Sequence, residues 1–63
     1  MTIHERFWRT AKRDSVYAEA GYVGERDVTE RFWATIEVGE PQGGKTAGEA
    51  MRKALAEYER RRT

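Results

Sequence analysis

From Thr46 onward, apolar residues fall at Ala47, Ala50, Met51, Ala54, Leu55 and Tyr58. This i, i+3, i+4, i+7, i+8, i+11 spacing predicts one face of an amphipathic helix. Thr46 and Glu49 have the spacing of a capping box, which marks the start. Glu49 lies four residues before Lys53, a favourable pair, and Arg60, Arg61 and Arg62 stand where the helix dipole favours cations. Met51, Leu55 and Tyr58 are expected in the core, with Arg52, Lys53, Glu57 and Glu59 in solvent.

Upstream the period changes to two. Val28, Glu30, Phe32, Ala34, Ile36 and Val38 would face one way, and Thr29, Arg31, Trp33, Thr35 and Glu37 the other, which predicts a half-buried strand. Gly39, Pro41, Gly43 and Gly44 then read as a loop. Ser15 to Val23 predicts a second strand, with Val16, Ala18, Ala20 and Tyr22 on one face. Gly24-Glu25-Arg26-Asp27 reads as the turn between the two.

The first segment has two readings. Thr2 and Glu5 also have capping-box spacing, and Ile3, Phe7 and Ala11 could form a short helical stripe. Glu5-Arg6-Phe7-Trp8-Arg9-Thr10, however, echoes Glu30-Arg31-Phe32-Trp33-Ala34-Thr35. If the second copy is a strand, so is the first, and the echo decides for strand. The expected fold is therefore a single α+β domain over residues 1–63: a three-stranded antiparallel sheet in the order β-β-β-α, with the C-terminal amphipathic helix packed on one face.

Composition narrows the function. A chain of 63 residues has room for one small core, and with no cysteine it has neither disulfides nor thiolate metal ligands. A well-packed core or a homodimer remains, and a homodimer is expected. Twelve basic and eleven acidic residues give a net charge of only +1, less than a domain living on phosphate contacts usually shows. No apolar run is long enough for a membrane span, and residues 1–6 lack the apolar stretch of a signal peptide. A cytoplasmic protein is expected.

If Phe7 and Phe32 lie under the helix, then Arg6, Trp8, Thr10, Lys12, Tyr17, Glu19, Arg31, Trp33 and Thr35 face away from it. An exposed aromatic patch on a sheet more often marks protein contact. Arg6, Trp8, Tyr17, Arg31 and Trp33 are thus the expected partner-binding residues of a small, non-enzymatic regulatory protein. Aromatics interleaved with arginines also suit stacked bases and phosphates. The alternative is therefore a nucleic-acid-binding domain using the same face and Arg60–Arg62.

Gly39-Glu40-Pro41-Gln42-Gly43-Gly44-Lys45-Thr46 satisfies G-x-x-x-x-G-K-[ST] and resembles the phosphate loop of P-loop NTPases over those eight residues. The parallel sheet behind such a loop is much larger than 63 residues, and no apolar run ending in Asp supplies a Mg²⁺ ligand. Nucleotide hydrolysis and a nucleotide cofactor are therefore not expected. Weak anion binding at Gly43, Gly44, Lys45 and Thr46, ahead of the helix, is the candidate. His4, the only histidine, has no neighbour that would make it a base. Ser15, the only serine, sits beside Asp14 in an expected turn without an oxyanion motif.

Three strands followed by a helix, with Lys45 at the helix start, is similar to double-stranded-RNA-binding domains from their first strand onward. Those domains also have an N-terminal helix that contacts RNA, for which this reading leaves no room, and a lysine-rich turn where Lys45 stands alone. Gly44-Lys45-Thr46-Ala47-Gly48-Glu49-Ala50-Met51 looks like the strand-to-helix junction of HicB-type antitoxins.

Overall fold

The computed structural model describes residues 1–24, 29–37 and 39–62. The elements run α1 (Ile3–Asp14), β1 (Ala18–Tyr22), β2 (Phe32–Ile36), β3 (Gln42–Gly44) and α2 (Ala47–Arg62). The strands form one antiparallel sheet in the order β1-β2-β3. Ala20 lies opposite Ala34, and Ala34 opposite Gln42. The α+β class, the three-stranded antiparallel sheet and the C-terminal helix packed on it are as the sequence pattern predicts.

The membership of the sheet differs from that expectation in two places. Residues 3–14 are a helix, not the first strand. Thr2 caps it, its Oγ1 accepting from the Glu5 N–H at 3.2 Å, and Ile3, Phe7 and Ala11 turn inward. The echo misleads because the two copies diverge after their shared residues. One runs into Ala11-Lys12-Arg13, where alanine, lysine and arginine all favour helix, and the other into Ile36-Glu37-Val38, two of them β-branched.

The third strand comes instead from Gln42–Gly44, which reads as loop. Gly44 is buried there because α2 comes close. A Cβ on Gly44 would stand 2.7 Å from the Ala50 backbone nitrogen, so only glycine lets strand and helix approach this way. The central strand is shorter than its alternating pattern. Val28, Val38 and most of the expected turn at 24–27 lie outside the described residues.

The core sits between the helices and the inward face of the sheet. Phe7, Ala11, Ala34, Ile36, Ala50, Met51, Ala54, Leu55 and Tyr58 are buried, with Ile3, Val16, Ala18, Ala20 and Phe32 packed against them. Every apolar position from Ala50 to Tyr58 in the helical pattern is therefore buried. The helices run in the same direction. Ile3 touches the position of Gly48 at their N-terminal ends, and Asp14 meets Tyr58 and Arg62 at their C-terminal ends.

α1 ends on Ser15, whose left-handed backbone (φ 54°) lets the Val16 N–H reach the Ala11 carbonyl at 3.0 Å. Thr46 caps α2, accepting from the Glu49 N–H at 3.1 Å. No helix among the described residues is long and apolar enough to cross a membrane.

Candidate functional site

The five expected partner-binding residues do not share a face. Arg6 and Trp8 lie on α1, in the helix layer, because residues 3–14 are helical. Trp8 is 44% exposed and braced edge-on by Phe7, with ring centroids 4.9 Å apart. Trp33 lies on the sheet face away from α2 and is half-buried across Gly21 of β1. A Cβ on Gly21 would come within 2.6 Å of the indole nitrogen. Arg31 is half-buried beside that strand. Tyr17 alone of the five is widely exposed on the sheet, at 62%, with its hydroxyl on Glu19.

Two other expected outward groups, Thr10 and Lys12, also move to α1. Thr35 is buried, its hydroxyl donating to the Gly39 carbonyl at 3.0 Å. A base-stacking platform of two tryptophans and a tyrosine on one sheet face is therefore not assembled. Tyr22, which the pattern placed inward, is instead 56% exposed, its ring 5.0 Å from that of Phe32.

The phosphate-loop motif takes a different shape from a loop. Gln42–Gly44 is extended and paired with β2, and Gly44 is packed against α2. These N–H groups therefore do not wrap a common centre. Thr46 Oγ1 is engaged as the helix cap. Of the four candidate anion-binding residues, Lys45 is the exposed cation, with no hydrogen bond or ion pair among the described residues.

The arginine tail is also engaged within the molecule. Arg60 pairs with Glu57. Arg61 donates to the Ile36 carbonyl at 3.3 Å. Arg62 donates to Asp14 at 2.6 Å and lies over the Tyr58 ring.

Sorting the charges by layer exposes a pattern that the total conceals. The two helices carry nine basic and five acidic side chains, a net of +4. The other described residues carry two basic and four acidic side chains, a net of −2. The positive layer is densest on α1. Arg6, Arg9 and Arg13, spaced i, i+3 and i+7, line a groove of about 350 Å³ with Met1, Thr10 and, from α2, Glu59. Arg6 approaches Glu59 at 3.7 Å with both side chains more than half exposed, so this pair holds the arginine only weakly. Arg13 leans on Asp14 at 2.9 Å, a contact that raises its already high pKa.

Arg9 and Lys12 make no ion pair among the described residues, and neither does Arg52. Arg52 stands seven residues before Glu59 and so lies on the same side of α2. Sequence reasoning missed this arrangement because it read α1 as a strand. The signal was the arginine spacing itself, which is one helix face and no strand face.

No protein-family model, curated protein or solved structure matches the chain. The element order is α-β-β-β-α, with a helix ahead of the first strand.

Proposed function

We propose that this protein is a small, non-enzymatic nucleic-acid-binding module that holds the phosphate backbone against its helix layer, with duplex RNA as the preferred form. The observation that carries the reading is the separation of charge into a positive helix layer and a negative sheet layer, with Arg6, Arg9 and Arg13 in one row. Guanidinium groups suit phosphate because their fixed fork of donors matches its oxygens. Arg9, Lys12, Lys45 and Arg52 have no internal anion to give up among the described residues. The choice of duplex RNA rests on the shared element order and on the position of α1, the helix that contacts RNA in the domains it resembles.

The expected homodimer and regulatory role are carried into this proposal. In place of the expected contact through Arg6, Trp8, Tyr17, Arg31 and Trp33, the proposed protein contact runs through the exposed Tyr17 and Tyr22. A cysteine-free chain also suits the cytoplasm, the location proposed here.

Fluorescence anisotropy with a duplex RNA of about 20 base pairs, the matching DNA duplex and the single strand tests the reading. With three phosphate contacts, affinity should fall about 40-fold between 50 and 200 mM salt. Arg9→Glu should weaken binding to every duplex while leaving the circular dichroism unchanged. Salt-independent binding, or an Arg9→Glu variant that binds like the parent, would refute it.

A further inference from the structure

The two edges of the sheet are treated differently. β3 is three residues long and preceded by Pro41. Phe32 and Ala34 face it, so Gly43 is the β3 residue whose backbone points outward, and the Lys53 ammonium occupies its carbonyl at 2.9 Å. A short strand, a proline and a lysine are the usual devices that keep an edge from pairing with another chain.

β1 has none of them. The Glu37 N–H donates to the Tyr17 carbonyl at 2.6 Å and the Val23 N–H to the Arg31 carbonyl at 2.7 Å. Odd-numbered residues of β1 therefore bond to β2. The N–H and C=O groups of Ala18, Ala20 and Tyr22 point away from the sheet, with no partner among the described residues. The side chains along this edge are small: Ala18, Ala20 and Gly21. The two large exposed aromatics of the sheet, Tyr17 and Tyr22, stand at its ends.

We infer that β1 pairs antiparallel with β1 of a second copy about a two-fold axis at Ala20, making one six-stranded sheet. The inference rests on the homodimer reading and names its interface. Full overlap of the strands places Ala20 opposite the partner's Ala20 and Ala18 opposite the partner's Tyr22. The outward groups of Ala18, Ala20 and Tyr22 then form about six hydrogen bonds. In that register each large side chain meets a smaller one, Tyr22 across Ala18 and Tyr17 across Val23.

The charges agree with it as well. Glu19 faces the partner's Gly21, whereas a slip towards Ala18 and Glu19 would set the two Glu19 carboxylates directly opposite each other. A slip the other way leaves Ala18 unpaired. The strand is thus complementary to itself in the one register that uses all five residues.

Amide hydrogen exchange followed by NMR at low and high protein concentration, with light scattering on the same samples, tests the inference. In a monomer the Ala18, Ala20 and Tyr22 amides face water and exchange quickly. In the dimer their exchange should slow by about tenfold or more as concentration rises, while Glu19 and Gly21 stay protected throughout. Ala20→Pro removes an N–H that the monomer's own ladder does not use, so it should return the mass to 7.3 kDa with the helical signal intact. A dimer whose Ala18, Ala20 and Tyr22 amides stay fast overturns this interface and leaves the homodimer standing. A monomer at every concentration overturns both, and leaves the edge to a strand of another protein.

Discussion

Asp14 fastens the C-terminal ends of the two helices. It accepts from Arg13 at 2.9 Å, from the Tyr58 hydroxyl at 2.6 Å and from Arg62 at 2.6 Å. Its hydrogen bond from Arg13, followed by that from Tyr58, lowers its pKa from 3.8 to about 2. A carboxyl whose folded pKa is depressed stabilises the fold fully above its unfolded value and loses that contribution as pH falls through the folded one. The fold should therefore weaken between pH 3.8 and about 2. Asp14→Asn should lower the melting temperature at neutral pH and flatten this part of the acid profile, as thermal denaturation across pH would read. The neighbouring Ser15 bears a different cost, a non-glycine residue at φ 54°. Ser15→Gly should raise stability by about 0.5–1 kcal/mol, measured as a shift in the urea midpoint. Neither residue's role was legible in the sequence, since both depend on where α1 ends.

α2 was legible throughout, because its cap, its apolar stripe and its basic end agree with one another. α1 was half legible. The same Arg-Phe-Trp triplet stands in a helix at Arg6–Trp8 and at a strand at Arg31–Trp33, so the residues around it decide the backbone. β3 could not be read, since Gly43 and Gly44 have no strand preference of their own. What holds them extended is the approach of α2, a tertiary contact. Gly44→Ala should accordingly cost about 1–3 kcal/mol, because its new methyl meets helix backbone that cannot swing aside. Gly21→Ala should cost less, since the atoms in the way belong to the Trp33 ring, which can rotate. A red shift of tryptophan emission with little change in the urea midpoint would report that rotation, and a large loss of stability would show the ring locked in place. Phe7→Ala, at a fully buried position, should remove about 3–5 kcal/mol and leave little folded protein in so small a domain.

At the scale of the whole molecule, net charge was a poor guide. A total of +1 conceals a helix layer of +4 beside a net of −2 on the other described residues, and no sum over the chain reveals that division before residues 3–14 are known to be helical. The same reassignment disperses the aromatic face and moves the nucleic-acid reading from the sheet to the helices. In the proposed RNA contact, the arginine row should attract phosphate and the more acidic sheet side should repel it. Backbone amide shifts on titration with duplex RNA test this division most directly. The account predicts that Arg6, Arg9, Thr10, Arg13 and Arg52 move and that Glu19, Gly21 and Trp33 stay where they are. Shifts concentrated on the sheet residues, or none at saturating RNA, would contradict it.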